Sequence, residues 1–116
     1  MLVTFTGCEK ASFRRAMVGT HEVSFYMGTS GYNCDMIVTY DKSTDAYTIT
    51  ITSGEDHIGK DIVLDGIAIE QVIEIQPEDN GYQDYCNVYG GTLKIVDKKL
   101  LLEFQACGLN FSASEI

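Results

Sequence analysis

The chain has 116 residues, 17 acidic and 8 basic side chains, and a net charge of −9. That length holds about one domain and excludes a TIM barrel or a two-domain enzyme. The acidic balance argues against nucleic acid as a partner, since phosphate binding needs clustered Lys and Arg, and the chain lacks the run of about 20 apolar residues that a spanning helix needs.

Met1-Leu2-Val3-Thr4-Phe5-Thr6-Gly7-Cys8 is apolar or small and uncharged, and charge begins at Glu9 and Lys10. The segment resembles the end of a bacterial lipoprotein signal, in which a small residue precedes the cysteine that becomes the lipidated N-terminus. The resemblance implies that residues 1–8 are a signal remnant, that Cys8 accepts lipid through its thiolate, and that acyl chains tether the protein to a membrane. Read from the residues alone, the same segment also fits a first β-strand with a core cysteine.

Glu9–Val18 is the one segment with helical spacing. Phe13, Ala16 and Met17 fall on one stripe, and Gly19 can end the helix, so residues 9–18 are expected to form a short helix or tether. From Thr20 the period changes to two, and residues 19–116 read as a single β domain. Val, Ile and Thr supply a quarter of the chain, as a pleated sheet requires. Thr20–Met27 leads to a turn cluster at Gly28-Thr29-Ser30-Gly31. Asp35–Tyr40 and Ala46–Thr52 flank a hairpin loop, and Tyr47, Ile49 and Ile51 alternate with threonines. Ile62–Leu64 reads as a short strand stopped by Asp65-Gly66. Ile67, Ile69, Ile73 and Ile75 continue the alternation, with a bulge expected at Gln71-Val72. Gln76–Gln83, with the only proline, reads as a loop. Gly91–Val96 and Lys99–Phe104 form a hairpin about Asp97-Lys98, and Asn110–Ser114 completes about eight strands. No long helix is available for parallel crossovers, so the sheet is expected to be antiparallel.

The four cysteines are Cys8, Cys34, Cys86 and Cys107, and none forms a C-x-x-C pair. The hairpin register sets Leu93 and Ile95 opposite Leu102 and Leu100, and Val88 opposite Cys107. Cys86 then lies one diagonal step from Cys107, a distance marginal for a disulfide that strand twist or a bulge at Gly90-Gly91 could close. Reduced, buried cysteines are the alternative.

A meander of eight strands can close on itself and remove its edges. Val18-Gly19-Thr20-His21-Glu22-Val23 after a short helix resembles the opening of lipocalin-like (calycin) domains, with His21 where lipocalins commonly carry tryptophan. Gly90-Gly91-Thr92-Leu93, Leu100-Leu101-Leu102-Glu103-Phe104 and Phe111-Ser112-Ala113-Ser114 are similar to the end of small calycin-like lipoproteins of gut Bacteroidetes. The expected fold is therefore an all-β, lipocalin-like barrel with a short N-terminal helix; a β-sandwich is the alternative.

No catalytic motif is present, so the chain reads as non-enzymatic, with no cofactor. Glu55-Asp56-His57 with Asp61, and Glu78-Asp79-Asn80-Gly81 with Asp84, read as solvated turns rather than as catalytic or Ca²⁺ sites. Tyr26, Tyr32, Tyr82, Tyr85 and Tyr89 flank strand ends, where a barrel mouth could present them to a ligand. The expectation is a lipid-anchored protein of the bacterial cell envelope that binds a small apolar ligand or a protein partner. The alternative is an acidic inhibitor or immunity-type protein docking on a basic target.

Overall fold

The computed structural model describes residues 7–52, 61–82 and 86–116, with the side chains of 7–9 and 79–82 excluded. The order is α1 (Gly7–Met17), β1 (Gly19–Met27), β2 (Ser30–Asp41), β3 (Ala46–Ile51), β4 (Ile62–Ile69), β5 (Val72–Ile75), β6 (Glu78–Tyr82), β7 (Cys86–Val96), β8 (Lys99–Ala106) and β9 (Leu109–Glu115). Each strand pairs antiparallel with its sequence neighbour, save that β5 and β6 both pair with β7, and β9 returns to β1. The sheet is therefore a closed eight-stranded barrel, and closure rules out the β-sandwich.

The eighth wall position is one strand in two pieces. Ile75 pairs with Gly91 and Glu78 with Val88, three residues further on each side. The register thus runs unchanged across Gln76-Pro77. Proline has no N–H to give to the ladder, so pairing lapses there and resumes at Glu78. This corrects the loop expected over 76–83 for residues 78–82, which form β6.

Two turn assignments also change. Asp65-Gly66 does not stop a strand; β4 runs through it. Gly66 is buried opposite Tyr47 and Ile75, and a Cβ there would run into the Ile73 side chain. The glycine serves close packing, not a turn. The expected bulge at Gln71-Val72 is instead a tight turn at Glu70-Gln71, with Glu70 at φ 57°. By contrast, the β7–β8 hairpin has the expected register about Asp97 and Lys98, both at positive φ, as a two-residue type I′ turn requires.

Inward positions carry the core. Val23, Phe25, Met36, Ile49, Ile51, Ile62, Ile73, Leu93 and Leu102 have no solvent contact. Helix α1 closes the end of the barrel where β2 turns into β3. Phe13 and Met17, one helical turn apart, are buried, and Phe13 meets the Tyr47 ring edge-on at 6.3 Å. Ala16, expected on the same stripe, is exposed: with Phe13 and Met17 anchoring the contact, the helix needs only a narrow face. Burying Phe13 and Met17 makes the helix part of the core rather than a loose tether.

Candidate functional site

Among the described residues the barrel centre is filled. A void wide enough for water would expose the atoms lining it, yet core side chains from Met17 at one end to Phe25 near the other show none exposed. Phe25 stacks on Phe104 and Phe111 at centroid separations of 6.4 and 6.0 Å, and Phe104 on Phe111 at 4.8 Å. Tyr32 meets Phe25 edge-on at 5.7 Å. These rings occupy the end of the barrel opposite the helix.

At the helix end, His21 links three elements. Its Nε2–H donates to the Met17 carbonyl at 2.8 Å, and its Nδ1 faces the Glu115 carboxylate at 3.2 Å. The Leu100 amide donates to the other Glu115 oxygen at 3.0 Å. Both ring nitrogens thus face oxygen atoms, one on the helix and one on β9. Beside it, the Arg14 guanidinium lies 4.0 Å over the Tyr40 ring. The Tyr40 hydroxyl donates to Asp45 at 2.6 Å, and this bond raises its pKa. For Tyr47, burial raises the pKa and Arg14 works against it. These contacts fasten helix to wall, and the pocket between Phe13, Arg14, Tyr47 and Ala68 holds only about 40 Å³.

At the other end, Cys86 and Cys107 are joined, with Cα atoms 5.4 Å apart, inside the ordinary range for a disulfide. A bulge makes the reach easy. Val88 pairs with Ala106 and Gly90 with Gln105, so Tyr89 is the extra residue. The shift replaces the expected Val88–Cys107 pairing and shortens the offset between the cysteines by one residue. Cys34 is a free, half-buried cysteine; burial, helped by the Asp35 charge, pushes its thiol up to about 11.

The same bulge shapes an open groove of about 790 Å³ on the outer wall of β7, β8 and β9. Gly90 and Gly91 line it with bare backbone, and the nearly buried Phe104 and Phe111 also border it. A Cβ on Gly91 would run into the backbone of Glu103 and Phe104, so only glycine lets β7 lie this close to β8. Outward side chains form the sides: Tyr89, Thr92, Glu103, Gln105, Asn110 and Ser112. Gln105 donates from Nε2 to Asn110 Oδ1 at 3.0 Å, which aligns the two amides across β8 and β9.

Of the five tyrosines, the three whose side chains are described, Tyr26, Tyr32 and Tyr89, do not converge. Among these three only Tyr89, 63% exposed, lines the groove. Tyr26 is exposed on the outer wall, with its ring over Gly31 of β2. Tyr32 points inward, its hydroxyl 3.5 Å from the Thr52 carbonyl. Tyr82 belongs to β6 by its backbone, and Tyr85 lies outside the described residues, as do Glu55, Asp56, His57 and Asp84. Glu78-Asp79-Asn80-Gly81 is strand rather than a turn, and no group of three metal-ligating side chains occurs among the described residues. Cys8 stands in the first turn of α1 by its backbone. Sequence reasoning missed Thr92, Glu103, Gln105, Asn110 and Ser112, which look like ordinary outward positions. The available signal was Gly90-Gly91 within a strand, which marks a bulge or a close approach. No protein-family model, curated protein or solved structure matches the chain.

Proposed function

We propose that this chain is a non-catalytic binding protein of the bacterial cell envelope, tethered by lipid on Cys8, which recognises its ligand on the outer wall of the barrel. The observation that carries the reading is the contrast between a centre closed to water and an open groove over β7–β9. A small apolar ligand inside the barrel would have to displace Phe25 and the rings stacked on it, which costs packing that the ligand must replace. The lipid follows from the resemblance of residues 1–8 to a lipoprotein signal. Lipid on Cys8 would place the anchor at the helix end, while the groove lies on the side wall and reaches Gly28 at the other end.

Two measurements test this. Labelled palmitate is expected to enter the wild-type protein in cells that process lipoproteins, and not Cys8→Ala; equal labelling of both removes the tether. Titration with cis-parinaric acid, a fluorescent fatty acid, is expected to give no saturable signal. Stoichiometric binding would place a ligand chamber inside the barrel and overturn the outer-wall reading.

A second reading, an acidic inhibitor or immunity-type protein, draws on the net charge of −9 and on the outer face of β4. There Val63, Ile67 and Ile69 are exposed, with Asp65 among them and Glu74 paired beside Ile67. Apolar area rimmed by acid suits a basic protein partner. Association that weakens steeply with salt would favour it.

A further inference from the structure

We propose that the groove over β7, β8 and β9 binds a neutral saccharide, with the Tyr89 ring as its stacking platform. The inference rests on the outer-wall reading above and supplies its ligand class.

Three features select this chemistry. The first is the wall opposite Tyr89. Gln105 and Asn110 present amide oxygens and amide hydrogens that can accept from and donate to hydroxyl groups, and Glu103 adds an acceptor. The hydrogen bond between the two amides orients them before any ligand arrives, which lowers the ordering cost of binding.

The second is the platform. Tyr89 is the extra residue of a β-bulge, a device that re-aims a side chain out of the pleat. Its ring is well exposed beside a floor of bare backbone at Gly90-Gly91. A sugar ring has an apolar face of C–H bonds and an equator of hydroxyls; the first suits the tyrosine ring and the second suits the amides.

The third is charge. Among the described residues no Lys or Arg lines the groove, and Glu103 is the only ionisable group besides the Tyr89 phenol. That disfavours phosphate, sulfate and carboxylate ligands, which need positive partners. A fatty acid would find little apolar side chain beyond Tyr89. An extended peptide would find no free strand edge, because β7, β8 and β9 are each paired on both sides. The volume of about 790 Å³ lies within the usual range for ligand clefts, roughly 300–1,000 Å³.

The test is an amide-resolved NMR titration of the oxidised full chain with soluble neutral tetrasaccharides of gluco, manno, galacto and xylo configuration. At least one is expected to shift the amides of Gly90–Thr92, Gln105 and Asn110 in a saturable way. Tyr89→Ala is expected to weaken that binding about tenfold, and Tyr89→Phe to stay within about threefold of wild type. Gln105→Ala is expected to weaken it by about fivefold. Tyr26→Ala, on the outer wall but off the groove, is expected to leave it unchanged. No saturable shift from any of the four at about 10 mM, a millimolar limit of useful affinity, overturns the proposal. So does binding that survives Tyr89→Ala, or shifts confined to other strands. The cis-parinaric acid titration separates the two levels. If the fatty acid is excluded and the saccharides also fail, only the ligand class falls. If the fatty acid binds inside the barrel, the outer-wall reading falls too.

Discussion

The two ends of the barrel are closed by different chemistry. At the helix end the closure is non-covalent and long-range: Phe13 on Tyr47, Arg14 over Tyr40, and His21 held between Met17 and Glu115. At the far end it is a stack of Phe25, Phe104 and Phe111, with a disulfide fastening β7 to the β8–β9 turn. Stiffness follows from the difference. The helix can only be as secure as the packing of its few anchors, whereas the β7–β9 wall that carries the groove is cross-linked. A wall that presents a binding surface gains from that, since a preorganised groove loses less entropy when it binds.

That comparison can be broken most sharply in the aromatic stack. Phe25→Ala is expected to cost about 3–5 kcal/mol in urea unfolding, because a fully buried ring leaves a cavity and strips three ring contacts. A loss under about 1 kcal/mol would mean that the stack does not hold the far end. Next in size is the cross-link. The cysteines are 21 residues apart, and opening a loop of that size is expected to cost about 3 kcal/mol. Melting temperature should fall with reductant in the wild type, and be low but insensitive to reductant in the Cys86→Ser, Cys107→Ser double variant.

Cys34 probes the wall between the ends. With its thiol raised to about 11 from an ordinary 9.0, the thiolate at pH 8 is expected to be roughly a hundredth as populated as in an exposed cysteine. Iodoacetamide labelling of the native protein should slow to match. The sign is set by burial: the neutral thiol is favoured in the folded state, so its contribution to stability is intact below pH 9 and is lost as pH rises from there towards 11. Labelling at the rate of a free thiol would show that the wall opens there. The smallest effect belongs to the helix end. Arg14→Ala should cost about 0.5–1 kcal/mol through the lost contact with Tyr40, measured by chemical unfolding. A larger loss would show that the helix end depends on one cation more than on its buried anchors.

Local pattern carried much of this architecture. Alternation at Tyr47–Ile51 marked a half-buried strand, and the N-terminal helix showed its 3.6 spacing through Phe13 and Met17. The Asp97-Lys98 hairpin disclosed its register because turn chemistry and inward leucines agreed. The groove was far less legible. Thr92, Glu103 and Ser112 come from three strands, and in sequence each is only a polar residue between apolar ones. Their adjacency arises from pairing, Thr92 with Glu103 and Glu103 with Ser112.

Glycine and proline show where reading along the chain stops. Gly66 resembles a turn residue in sequence, yet it lies buried in mid-strand because Ile73 leaves no room for a Cβ. Pro77 sits in a polar run that suggests a loop, yet the strand resumes beyond it because β7 offers a continuing partner. An all-β chain with one short helix and inward-facing apolar positions was determined by periodicity, which is a property of near neighbours. Ring closure, the filled centre and the outer groove were decided by contacts between residues far apart in the chain. Those depend on the volume and register of partners that no local window contains.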